Sequence, residues 1–157
     1  MKSEVAMNIF NRSITVSITT EDNKVATVNG IFLDSYQEMY LTLTVDLAVF
    51  KILTARRGFR RTPHEDCPGC ESLIPNLAGL RFGPDIGKKI TAAVGLEYGC
   101  AHLADLAKEC YKSLFQAKLT IMRLTQTDEE TKSATGKTSS GKLLSLPATK
   151  VKKSEEM

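Results

Sequence analysis

Hydrophobic and polar residues alternate one by one through the first half of the chain, then recur every three or four. Ile14, Val16 and Ile18 are separated by Thr15, Ser17 and Thr19, the period of a half-buried strand. Glu21-Asp22-Asn23-Lys24 is a polar turn, and Val25 to Val28 returns as its hairpin partner. Ile31 and Leu33 begin a further apolar segment that ends near Asp34. Met39, Leu41, Leu43 and Val45 alternate with Tyr40, Thr42 and Thr44, the clearest strand in the chain. The run Leu47 to Leu53 fits either a strand or a short helix, because periodicity does not separate the two over so short a stretch.

The second half predicts helices. Ile86, Ile90, Ala93 and Val94 form an apolar stripe after Pro84-Asp85 that stops at Gly95. Leu96-Glu97-Tyr98-Gly99 is a connector. Leu103, Leu106, Cys110, Leu114, Ala117, Ile121 and Leu124 then predict a long helix with one buried face. Cys110 lies on that face and reads as a core thiol. From Thr127 the composition changes: the last 31 residues hold six lysines, five acids and no aromatic. Such a segment buries too little apolar surface to offset its ordering entropy. The expected architecture is α+β. A small antiparallel sheet of three to four strands is followed by two helices in one domain over residues 1–126. A disordered tail follows over 127–157, with Leu143-Leu144-Ser145-Leu146 as a short docking segment.

Composition narrows the class. With 157 residues, 42% hydrophobic and 25% charged, the chain matches one soluble globular domain. Its net charge of +3 lacks the clustered basic excess of nucleic-acid binders. No apolar run approaches the roughly 18 residues of a membrane helix. The first residues lack the apolar core of a signal peptide. A cytoplasmic protein is expected, its cysteines reduced, metal-bound or catalytic rather than paired. A homo-oligomer stays open.

Candidate chemistry gathers in two short stretches. His64-Glu65-Asp66-Cys67-Pro68-Gly69-Cys70 contains a C-x2-C, which lets two thiolates meet one tetrahedral ion from a tight turn. Cys100-Ala101-His102 would complete a Cys3His set, suited to zinc, while an iron–sulfur cluster would use the thiolates. His64 is a fifth candidate ligand, so a Cys2His2 set without Cys70 is also open. Residues two apart on an α-helix point to different sides. Cys100 and His102 therefore converge on one ion only if Cys100 stands at the helix cap or in the preceding loop, a turn that Gly99 favours. A thiol at a helix N-terminus is also poised as a nucleophile. Upstream, Arg56-Arg57-Gly58-Phe59-Arg60-Arg61 is either a solvated strand end or a grip for an oxyanion. Gly136-Lys137-Thr138 lacks the upstream glycine and strand of a phosphate-binding loop.

Several elements fall in a familiar order: Asp34 after Ile31-Phe32-Leu33, Arg61-Thr62-Pro63 before Cys67, Leu77-Ala78-Gly79-Leu80, and Gly99-Cys100-Ala101-His102-Leu103. From about Asn11 to Leu124 the chain resembles the bacterial family catalogued as domain of unknown function 2889. The resemblance implies Cys67, Cys100 and His102 as site positions, with Arg61 and Asp34 secondary. It leaves Cys70 outside the pattern and brings no activity. A second likeness is to iron–sulfur scaffold proteins of the NifU type, from whose G-C-G element Gly99-Cys100-Ala101 departs.

Three functions compete. The first is a small metal-binding protein that holds zinc or iron through Cys67, Cys100 and His102, with His64 or Cys70 as fourth ligand. The second is an enzyme in which Cys100 is a thiolate nucleophile and His102 or His64 its base. In it the arginine run, Arg61 included, orients an anionic small molecule. The third is a non-catalytic interaction module that uses the lysine-rich tail.

Overall fold

The computed structural model of the chain describes residues 7–62 and 67–134, with Cys67 to Cys70 as backbone. Strands β1 (Arg12–Thr20), β2 (Val25–Asp34), β3 (Glu38–Asp46) and β4 (Lys51–Arg61) form an antiparallel meander in sequence order. A 3₁₀ segment (Cys67–Leu77) leads to helices α1 (Ile86–Val94) and α2 (Ala101–Ala134). The α+β order is as expected, with the 3₁₀ segment added to the two helices.

An aspartate opens each hairpin turn, at positions 22, 34 and 46. Asp22 Oδ1 accepts the N–H groups of Lys24 and Val25 at 2.9 and 3.1 Å. Asp34 Oδ1 accepts those of Tyr36 and Gln37 at 2.8 and 2.9 Å. Asp46 Oδ1 accepts those of Ala48 and Val49 at 2.8 and 3.3 Å. A short carboxylate that takes up turn amides is what makes aspartate a turn former. The ambiguous run Leu47–Leu53 is thereby resolved: its first residues are the turn after Asp46, and β4 begins at Lys51.

Pairing fixes which side chains share a face. Ala26, Val28 and Phe32 of β2 and Met39, Leu41, Leu43 and Val45 of β3 are buried on one side of the sheet. Leu103, Leu106, Cys110 and Leu114 of α2 close over them. The opposite side carries hydroxyl and amide groups, with Thr42 bonded to Asn29 and Thr54 to Thr44, each at 2.9 Å.

Helix α2 lies almost on the backbone of β2. A Cβ placed on Gly30 would stand 2.6 Å from Cys110 Sγ and 2.9 Å from Leu106 Cδ1. Gly30 is therefore the notch that lets the helix seat. At 34 residues the helix is about 51 Å long, well beyond a ten-residue strand of about 33 Å. Its later turns accordingly expose Phe115, Leu119 and Met122. The helix also continues to Ala134, so residues 127–134 belong to it and not to the expected tail. Asp128, Glu129, Glu130 and Lys132 are tolerated in or favour helix, which tail composition obscured. The rest of that tail, with Leu143 to Leu146, lies outside the described residues. Among the described residues no helix is long and apolar enough to cross a membrane.

Two stability tests follow from this seat. Gly30→Ala is expected to cost about 1–3 kcal/mol in urea unfolding. Adding Cys110→Ala should return part of that cost, because one clash is removed, whereas strictly additive losses would contradict the direct contact. Burial, with a lesser push from Glu109, raises the Cys110 thiol from 9.0 to about 12. Between those values the unfolded chain holds fewer protons than the native one, so this contribution is complete below pH 9.0 and is lost as pH rises toward 12. The alkaline fall in the urea midpoint should be shallower in Cys110→Ala; an identical slope would contradict the assignment.

Candidate functional site

The end of the sheet that carries the β2–β3 turn also receives the N-terminus of α2. Asp34, the last residue of β2, has a side chain only 2% exposed. Burial works to raise its carboxyl, but the N–H groups of Tyr36 and Gln37, the Gln37 amide and Arg12 outweigh it. The group is held below the usual carboxylate range and stays charged.

Arg12 opens β1 directly across from Asp34 in the strand register. Its Nη2 donates to Asp34 Oδ2 at 3.2 Å. The guanidinium lies 5.0 Å from the Phe32 ring centre and 5.2 Å from that of Phe10. Two rings and one carboxylate thus fix a cation whose side chain is still 42% exposed. Among the described residues, Nη2 accounts for all the hydrogen bonds of this guanidinium, leaving Nη1 and Nε.

His102 enters from the first turn of α2. Its ring packs against Phe32 with centroids 5.2 Å apart. Its Nε2 stands 3.5 Å from Arg12 Nη2. A guanidinium has donors only, so a hydrogen bond in this contact requires Nε2 to accept and places a ring proton on Nδ1. Arg61, at the end of β4, donates through Nη2 to the Asp34 carbonyl at 2.7 Å and through Nη1 to the Ser35 carbonyl at 3.5 Å. It clamps the turn that presents Asp34. Beside it a cavity of 210 Å³ is lined by Asn11, Ser13, Leu33, Asp34, Ser35 and Arg61.

Cys100 stands at the cap of α2, as the spacing requires for it and His102 to serve one site. Its carbonyl accepts the Ala104 N–H at 3.0 Å, the first bond of the helix. Its Sγ accepts the Leu103 N–H at 3.4 Å. Its own N–H reaches back to the Val94 carbonyl at 2.7 Å. A Cβ on Gly99 would lie inside that same carbonyl, so glycine is the residue that lets the chain pass there. The G-C-x-H-L element is thus a turn, a cap and a first helical turn. Cys100 is half-buried.

The expected positions meet unequally. Asp34, Arg61 and His102 join one chain of contacts through Arg12, and Cys100 stands two residues before His102. The remaining arginines are spread out: Arg57 stacks on Phe59 at 3.9 Å, Arg60 approaches Glu38 at 3.7 Å, and Arg56 is exposed. Cys67 and Cys70 occupy the start of the 3₁₀ segment, and their side chains lie outside the described residues, as does His64. Among the described residues no three Cys, His, Asp or Glu side chains gather as a metal would require. Arg12 went unremarked in the sequence, although a signal existed. It and Asp34 each lie eleven residues from Asn23 of the polar turn and share the inward parity of their strands.

Neither a curated relative nor a solved structure matches the chain. The family described as Protein of unknown function (DUF2889) matches residues 10–116, a span that begins at Phe10 and takes in Arg12, Asp34, Arg61, Cys100 and His102. That span is more than half of the chain, and the protein belongs to this family.

Proposed function

We propose that the corner built by Arg12, Asp34, Arg61 and His102 binds a small anionic molecule through a carboxylate or phosphate group. The observation that carries this reading is the state of Arg12. A guanidinium immobilised by two aromatic rings and a buried carboxylate has already lost its rotamer entropy, and it keeps two nitrogens for a ligand. Arg61 adds a second cation beside the 210 Å³ cavity. Asp34 neutralises one of the two, so the corner keeps a net positive charge toward an anion. His102 is the group placed to exchange a proton with what binds, and Cys100 at the cap of α2 faces the positive end of the helix dipole. In a catalytic version Cys100 would be the nucleophile and His102 its base.

A second reading keeps the metal. Cys100 sits off the regular helix, which removes the geometric obstacle to its sharing an ion with His102. Zinc or iron would then be held by Cys67, Cys100 and His102 with His64 or Cys70. Ligation through His102 Nε2 requires Arg12 to move; ligation through Nδ1 does not.

Each reading has its measurement. At constant ionic strength, phosphate or citrate should raise the melting temperature of the wild type in proportion to the logarithm of its concentration. Arg12→Gln should lose most of that rise; an unchanged rise would rule out Arg12 as the recognising cation. For the metal, elemental analysis of untagged protein should give about one zinc or iron per chain and much less in Cys100→Ser. Metal near zero in both would end that reading.

A further inference from the structure

The far end of the sheet holds a second cleft, unrelated to the corner just described. It opens between the β3–β4 turn, residues Phe82 and Gly83, and the middle of α2. Its volume of 360 Å³ falls in the range of small-molecule pockets, about 300–1,000 Å³. Phe82 and Tyr111 rings lie 5.2 Å apart and Tyr111 and Phe115 6.3 Å apart, a tilted aromatic series along one wall. Phe50 closes the other side. Its φ of 47° is the left-handed region, costly for a bulky aromatic, yet its carbonyl is pinned by the Phe82 N–H at 2.8 Å. Phe115 is 62% exposed despite this company, so one face of the series has no protein covering it among the described residues.

The cleft holds one ammonium. Lys118 Nζ sits 5.0 Å from the Phe50 ring centre, and among the described residues no carboxylate is within ion-pair distance of it. A partly buried cation on an aromatic wall, without a counterion, favours a ligand that supplies both a ring and a negative charge.

We propose that this cleft binds an aromatic carboxylate, its ring against Tyr111, Phe115 and Phe82 and its carboxylate on Lys118. The ring satisfies the exposed aromatic faces by offset or edge contacts. The carboxylate supplies a counterion, which Lys118 lacks among the described residues, by a charge-assisted hydrogen bond.

The test is an NMR titration of the full chain with 1-naphthoate and with the neutral 1-naphthalenemethanol. Naphthoate should shift the amides of Phe82, Gly83, Tyr111 and Phe115, and bind about tenfold more tightly than the alcohol. Lys118→Met should bring the two ligands to similar affinity, and Lys118→Arg should keep the preference. Equal affinities in the wild type, a preference that survives Lys118→Met, or shifts confined to other residues would each overturn the proposal. Binding of the alcohol to each variant reports that the cleft is intact.

Discussion

The buried carboxylate of Asp34 is the constraint on which the site end of this molecule depends. It ends β2, takes the amides of the turn into β3, and fixes the Arg12 guanidinium across the first hairpin. A charge so little exposed survives because two turn amides, the Gln37 side chain and Arg12 donate to it. Arg61 reinforces the arrangement by holding the carbonyls of the same turn. The cation of the site is therefore set by the hairpin registers, and α2 contributes His102 to a position that the sheet has already prepared.

Seating of α2 supplies the second half. Gly30 admits the helix axis close to β2, and Gly99 lets the chain turn from α1 so that Cys100 caps the helix. The two described thiols then have opposite fates. Cys110 is sealed between sheet and helix, with its thiol pushed up by burial, and it is chemically quiet. Cys100 is half-buried at the start of the helix, where its Sγ accepts the Leu103 N–H.

Much of this was legible in the sequence, and the reasons differ by element. Met39, Leu41, Leu43 and Val45 declared β3 because a half-buried strand has a strict period of two. The cap at Cys100 was legible only as a condition, since two residues that far apart meet at one point only when the first stands off the helix. Leu47–Leu53 was ambiguous because a left-handed residue at Phe50 has no sequence signature when it is not glycine or asparagine. Arg12 was missed because its importance lies in pairing with Asp34 across a hairpin, a relation that needs the turn centre and the strand parity taken together. The end of α2 was misjudged because acidic and lysine-rich composition suits an exposed helix as well as a tail.

The most direct test of the account is the nitrogen-15 NMR spectrum of the His102 ring, in the wild type and in Asp34→Asn. The account predicts Nε2 accepting from Arg12 in the wild type, with a ring proton on Nδ1. Release of Arg12 in Asp34→Asn should then change the balance of the two tautomers. A wild-type ring protonated on Nε2, or a spectrum identical in the two proteins, would contradict the claim that Asp34 sets the cation and the cation sets His102.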